Sequence, residues 1–455
     1  MKYDVVVVGA GTAGANAALQ LARRGRSVLL VERRAAHLGG AQWHNGVLDR
    51  QFRSAGVPPP AGRARSSDGA VARLVGPDGA RGAVVTAPTV RADMAALGAH
   101  LRRAALDAGV ELVDHAVVRD VGHRGQRLAA LTLQVQPPGG TPRTVKVEAD
   151  LAVDASGRGG ALRRRSPVLA RWCPPPRSGE LCAAADLRLR VADPEGAKRF
   201  LERHGANAGD HVNRVGVHGG WSTRSITVSE DLEEVSLLVG CVADGRHGTI
   251  PGMLAAALDE EPWIGEQISA GRGLIPLRRP YARLTAPGLA LVGDAACQVF
   301  PAHGSGIGLG LIAGTMLAEA VAPAADAGGA AALWRYQSGF HRAHGGDLAG
   351  YDALRRMTTA IGPAGVARMV RAGMPGPSMV HAGLDQRWGA PPLGELLGSA
   401  RGLAADPGLA ALLAPWLVRA QAARALASRY PHDPLDAALA RWDRRVGRLV
   451  GEHRG

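Results

Sequence analysis

The chain is short of aromatics, lysine, cysteine and long apolar runs, and each shortage narrows what it can be. Aromatics make up 4% of 455 residues. No basic-aromatic platform accompanies them, which argues against nucleic-acid binding. Four cysteines, Cys173, Cys182, Cys241 and Cys297, show no C-x-x-C spacing and are too sparse to staple a fold. A reduced, cytoplasmic protein with no metal site is the expectation. The longest apolar run, around Leu409 to Val418, is broken by Pro415 and falls short of the roughly 20 residues of a bilayer span. No basic region or cleavage site surrounds Val5 to Val8, so no signal peptide is expected.

Apolar residues account for 46% of the sequence, ample for cores, and the length suggests about three domain-sized units. The 62 glycines and 29 prolines follow no three-residue period, which excludes collagen and disorder. Net charge is +14, and lysine occurs only at Lys2, Lys146 and Lys198, leaving 51 arginines. Such an excess fits solvated faces, or an affinity for diphosphates, phospholipid heads or NADPH.

Tyr3 to Val8 is the β-branched run of a strand buried on both faces. It feeds Gly9-Ala10-Gly11-Thr12-Ala13-Gly14, then a helical pattern from Ala15 to Arg24, then a second buried strand, Ser27 to Val31, ending in Glu32. A G-x-G-x-x-G alone is weak, but this one sits in a complete strand-turn-helix-strand unit with an acid 18 residues beyond the third glycine. Gly9 permits the tight turn, Gly11 lets backbone approach a pyrophosphate, and Gly14 allows close helix packing, while Glu32 would accept hydrogen bonds from a ribose.

A second element lies more than 250 residues downstream, where Leu289 to Val292 ends in Gly293-Asp294 and continues through Pro301-Ala-His303-Gly304-Ser-Gly306-Ile307-Gly308 into a helix running to about Val321. This stretch resembles the second FAD fingerprint of flavoproteins with a p-hydroxybenzoate-hydroxylase-like fold, and in particular the geranylgeranyl reductase group. The resemblance implies that Asp294 bonds the ribityl hydroxyls and that the turn from Pro301 to Gly304 lies along the isoalloxazine ring. Family members often place an arginine at the position of Arg91 against the FAD phosphates or ribityl chain. The cofactor residues expected on this basis are Gly9, Gly11, Thr12, Ala13, Gly14, Glu32, Arg33, Arg91, Gly293, Asp294, Pro301, Gly304, Gly306 and Ile307. Ala149 to Arg158 matches a third element, but Ala155-Ser156 separates Asp154 from Gly157, a departure from the aromatic-hydroxylase form.

The expected class is α/β, a Rossmann-like FAD domain with an antiparallel-sheet substrate domain and a helical C-terminal region. Residues 1–165 form the first part of the FAD domain, with an insertion at 51–86 that looks like a long loop over the site. In 166–271, Leu187, Leu189 and Val191 alternate with polar residues, predicting an antiparallel sheet that would form the substrate pocket. Asp193-Pro194-Glu195 should start a helix that ends at His204-Gly205. Val90 to Met94 should open another, through Ala108. Residues 272–325 complete the FAD domain, and 326–455 should be helical, with Trp334, Tyr336, Phe340 and Trp416 as core.

His44 and His303 are the candidate catalytic residues, as proton donors or substrate-orienting groups. No Trp-x-Trp occurs and no lysine lies between Lys2 and Lys146, against a halogenase, and no second dinucleotide motif or redox cysteine pair appears. Electrons would come from transiently bound NAD(P)H or a protein donor. Three readings stay open: a flavin-dependent reductase of a small apolar molecule, as the resemblance implies; a flavin monooxygenase; and a non-redox prenyl carrier. Expected partners are a small-molecule substrate and peripheral contact with anionic lipid or an isoprenoid diphosphate.

Overall fold

The computed structural model describes residues 1–68 and 70–452. Its first strand, Lys2–Val8, pairs in parallel with Val28–Val31 on one side and Arg143–Asp154 on the other. The sheet runs Thr285–Ala286, Leu289–Leu291, Arg143–Asp154, Lys2–Val8, Val28–Val31, Glu111–Val113. Strands distant in the chain are thus neighbours. Val5, Val6, Val7, Leu151, Val153 and Leu291 are fully buried, as central strands of a parallel sheet covered on both faces must be. Helices Met94–Asp107 and Ile307–Val321 each pack against helix Thr12–Ala22 at this sheet.

A second sheet has the order Ile264–Pro276, Leu181–Val191, Glu234–Val242, Ser222–Val228, His211–Val215, Val71–Val75, Arg81–Thr86. Leu187, Leu189, Val235, Leu237 and Val239 point to one face and pack on helices Pro194–His204 and Ile250–Glu260. The alternation leaves the opposite face to a cavity. A small third sheet, His44–Leu48, Thr89–Asp93 and Arg65–Asp68, closes that cavity through its first two strands.

Two expectations are corrected here. Residues 51–86 are not a loop: they continue helix Asp49–Ser54 and supply strands Arg65–Asp68, Val71–Val75 and Arg81–Thr86, with Gly69 outside the described residues. Val71–Val75 adds in parallel to His211–Val215, and Arg73 is paired with Asp210 at 3.1 Å, so a tertiary sheet edge captures a segment whose glycines and prolines locally favour turns. Residues Val90 to Asp93 are strand rather than helix. Asp93 is the N-cap, accepting bonds from the backbone N–H of Ala95 at 2.8 Å and Ala96 at 3.1 Å, so the helix begins at Met94.

Beyond Val321 every regular element is a helix among the described residues, and 453–455 lie outside them. Tyr336 and Phe340 are fully buried, whereas Trp334 and Trp416 are only partly so. Helix Gly346–Arg371 kinks at Gly362, whose φ is +66°, just before Pro363. The kink carries Val366, Met369 and Val370 onto the cavity of the second sheet. No helix among the described residues is long and apolar enough to cross a membrane.

Candidate functional site

The glycine turn has the geometry of a nucleotide cradle. Gly9 has φ +109°, and a Cβ there would lie 2.3 Å from the Ala155 carbonyl oxygen; one at Gly14 would lie 1.9 Å from the Gly9 carbonyl oxygen. Side chains are shut out by backbone on both sides. Gly11 is the N-cap of Thr12–Ala22, so the unpaired N–H groups of Thr12, Ala13 and Gly14 face the space above the turn. Glu32 is buried at the end of Val28–Val31, and its carboxylate accepts the Ala10 N–H at 3.0 Å and the Arg34 N–H at 3.1 Å. Arg33 is exposed beside it.

One strut of this turn is absent from the expected residues. Arg102 is buried and donates through Nη1 to the carbonyls of Ala10 and Gly39, both at 3.1 Å, tying two loops together. A signal existed. Position 102 falls on the buried stripe Met94, Leu97, Gly98, Leu101 and Ala105, where an arginine needs a reason.

Asp154 is fully buried and organises the third element: its carboxylate accepts from Ser156 N–H at 3.1 Å, Leu162 N–H at 2.8 Å and Arg163 N–H at 2.7 Å. Arg163, also buried and also unforeseen, donates to the Ala295 carbonyl at 3.0 Å and so fixes the turn that holds Asp294.

Gly293 and Asp294 follow strand Leu289–Leu291 after the single residue Val292. Burial pushes the Asp294 carboxyl up to about 6, opposed by the charge of Arg158. A Cβ on Gly306 would stand 3.4 Å from its Oδ1, and one on Gly293 would stand 3.0 Å from Cβ of Ala13, so the two fingerprints touch through small residues. A desolvated carboxylate beside the glycine cradle fits a ligand bringing its own hydroxyl donors, as the ribityl chain of FAD does. The buried Pro301 leads into Gly304, at φ +73°, whose N–H bonds the Phe300 carbonyl at 2.9 Å, and Gly306 is the N-cap of the helix that starts at Ile307. This helix is aimed with its positive end at the space beside the turn. Together these groups fit FAD.

The turn also walls a cavity of about 490 Å³ through Ala302, His303 and Ser305. Trp221 anchors it to the second sheet by donating to the Ala302 carbonyl at 3.0 Å. His303 is exposed on the wall of the cavity. Its Nε2 lies 3.2 Å from the Gly383 carbonyl, which can only accept, so Nε2 carries the hydrogen, and desolvation pulls the ring's pKa down to about 4. His44 lines the same cavity, with its pKa lowered by burial and by Arg91. The structure therefore places both candidate histidines on one cavity, each with its pKa below the ordinary imidazole value. Arg91 lies on this cavity too: its Nη2 donates to Ser236 Oγ at 2.6 Å and stands 3.9 Å from Asp186. Residues from helices Gly346–Arg371 and Pro377–Leu384, Val366, Met369, Val380 and Leu384, close the apolar side, which nothing in the spacing of 326–455 foretold.

Comparison with known proteins points to the same cofactor. Residues 4–165 match the model of the FAD dependent oxidoreductase family. The digeranylgeranylglycerophospholipid reductase of Sulfolobus acidocaldarius is 25% identical over 372 residues, covering 78% of this chain and 77% of that protein. One from Methanothermobacter thermautotrophicus is 28% identical over 334 residues, covering 70% and 79%. In fold, the chain is similar to a geranylgeranyl bacteriochlorophyll reductase-like protein from Thermoplasma acidophilum, with a TM-score of 0.71, 16% identity, and coverage of 91% of this chain and 99% of the other. The chain is an FAD-dependent oxidoreductase, and over most of its length it resembles the geranylgeranyl reductase group.

Proposed function

We propose that this oxidoreductase is a cytoplasmic enzyme that reduces carbon-carbon double bonds in an isoprenoid chain held in the 490 Å³ cavity. The observation that carries this reading is the cavity's construction: the second FAD fingerprint forms one wall and aliphatic side chains from the C-terminal helices form another. Its volume lies within the about 300–1,000 Å³ typical of small-molecule sites. The prenyl character of the substrate comes from the names of the relatives, whereas the monooxygenase alternative rests on shared fold alone.

FAD, when bound, supplies two-electron transfer between donor and substrate. Gly9, Gly11, Thr12, Ala13, Gly14 and Glu32 would hold its adenosine diphosphate half, Gly293 and Asp294 its ribityl chain, and residues from Pro301 to Ile307 its ring. The remaining work is done by the chain itself. Val366, Met369 and Val370 exclude water from the apolar part of the substrate, and Trp221 keeps the wall turn in place. His303, with Nε2–H committed to Gly383, offers Nδ1 to accept a proton or a hydrogen bond, and His44 is the second candidate to hold a proton. Four buried, unbridged cysteines support a reducing compartment. NAD(P)H is the proposed donor, bound transiently through surface arginines.

A lipid surface is the proposed partner. Helix Leu393–Ala405 buries none of its residues, and Leu393, Leu396 and Leu397, at i, i+3 and i+4, are 71, 49 and 51% exposed. It is tied to helix Pro377–Leu384 by Glu395 and Ser378, and Val380 and Leu384 of that helix line the cavity. An apolar substrate dissolved in a bilayer would reach the cavity from this side.

The decisive experiment mixes photoreduced enzyme, free of oxygen, with a geranylgeranyl compound. Flavin reoxidation with a product two mass units heavier is expected; reoxidation only on admission of oxygen would reject the reductase.

A further inference from the structure

Strand Ile264–Pro276 carries Gly271 and Gly273 in its interior, where glycine weakens a strand and marks the close approach of another group. That group is Trp43. A Cβ on Gly271 would stand 2.6 Å from Cβ of Trp43, and one on Gly273 would stand 2.8 Å from Cη2, at the far tip of the indole. The side chain therefore lies along the strand, from Gly271 towards Ile275. Its backbone is pinned on both sides. The Trp43 carbonyl accepts the Met94 N–H at 3.1 Å, and the His44 N–H is bonded at 3.4 Å to Oδ2 of Asp186, the cross-strand partner of Gly271.

The same strand runs on to the turn of the second fingerprint. From Ser269 to Pro276 its pairing is regular, so Gly271, Gly273 and Ile275 share one face. A Cβ on Gly304 would stand 3.7 Å from Ile275 Cγ2 and 3.6 Å from Leu277 Cδ2. Two strand residues advance about 7 Å. The indole tip over Gly273 and the turn over Ile275 are thus near enough for a planar three-ring group seated on the turn to touch the indole. The protein leaves that surface uncovered. Trp43 is only partly buried, its Nε1 makes no hydrogen bond among the described residues, and it does not line the substrate cavity, although His44, the next residue, does.

We propose that Trp43 is a contact of the isoalloxazine ring, admitted beside it by Gly271 and Gly273, and that it covers the ring outside the substrate cavity. An indole presents a broad, rigid apolar surface, which holds a planar aromatic group and keeps water from it. The inference rests on the reading above that residues from Pro301 to Ile307 hold the ring. It also has an optical consequence. An indole in contact with a flavin quenches its emission by giving an electron to the excited ring, which then returns it; phenylalanine, harder to oxidise, does not.

The test reads flavin emission from the FAD-loaded protein at equal flavin content. Trp43→Phe should brighten it several-fold and cost less FAD affinity than Trp43→Ala, which should weaken binding by about tenfold, the size of one lost base-to-aromatic contact. Gly273→Val keeps the indole but displaces its tip, and should brighten the flavin as well. A tryptophan with only a structural role would leave emission unmoved in all three. Trp221 bonds the Ala302 carbonyl of the same turn, so each variant is also made with Trp221→Phe to remove a second quencher. Emission from Trp43→Phe equal to that of its parent in both backgrounds overturns the inference. Gly304→Val then shows what has failed. Lost flavin in that variant keeps the ring on the turn and removes only Trp43, whereas full flavin content with an unchanged absorption spectrum takes the ring off the turn, and the inference falls with that reading.

Discussion

Asn16 and Thr315 are hydrogen bonded at 3.0 Å although 299 residues separate them. Asn16 also donates to the Leu311 carbonyl at 2.7 Å, so the helix behind the glycine turn is fastened to the helix behind the second fingerprint by one buried amide. That crossing brings the two halves of the flavin site together, and its tightness depends on small residues. A Cβ on Gly314 would stand 3.0 Å from the Ala17 nitrogen and 3.1 Å from the Ala13 carbonyl oxygen.

Gly314→Val should therefore spread the two helices, costing about 1–3 kcal/mol of stability as overpacking does, and should lower flavin content. Thermal unfolding and the flavin-to-protein absorbance ratio check both. A stable variant with full flavin would show that the crossing does not set the cofactor site.

Arg102→Met keeps most of the side-chain volume but leaves the Ala10 and Gly39 carbonyls without their buried donor. A loss of about 1–3 kcal/mol is expected, together with weaker FAD binding because the glycine turn loses its strut. Denaturant midpoints with and without added FAD separate the two effects.

Asp294 should shape both affinity and pH response. Asp294→Ala should weaken FAD binding at least about tenfold, the equivalent of one charge-assisted hydrogen bond. In the flavin-free chain its pKa of about 6 lies above the unfolded carboxyl's ordinary value. The folded state then holds the proton more tightly, so the stability this group contributes is complete below the unfolded value and is lost as pH rises through 6. Asp294→Asn should flatten the apoprotein's stability profile across that window, by at most about 3 kcal/mol. Parallel urea titrations of the two flavin-free proteins between pH 4 and 7 would reveal it, and identical profiles would remove Asp294 from the account.

If NAD(P)H binds through surface arginines, its attraction should be screened, since charges farther apart than about 8 Å interact little at physiological ionic strength. Stopped-flow flavin reduction should slow as salt is raised. Tight, salt-independent saturation would instead reveal a dedicated nucleotide site.

Replacing Leu393, Leu396 and Leu397 together by serine should abolish co-sedimentation with anionic phospholipid vesicles while leaving flavin content unchanged. Unaltered sedimentation would remove helix Leu393–Ala405 as the docking surface.

The sequence by itself determined the dinucleotide unit, because glycine spacing, a buried valine run and a terminal acid are local demands of one strand-turn-helix-strand. It likewise determined the helix at Pro194–His204, where Asp193 caps one end and Gly205 the other, and the strand-to-helix passage from Leu289 to Val321. Only the tertiary structure decided that Val71–Val75 would be a strand, since its partner His211–Val215 lies far along the chain and supplies the missing hydrogen bonds. It also decided the character of the cavity. Arg91, Ser236 and Asp186 come from three different strands, and the lowered pKa values of His44, His211 and His303 arise chiefly from desolvation by protein that the sequence does not place beside them. Desolvation and charge pairing at a site are properties of distances, which no run of residues records.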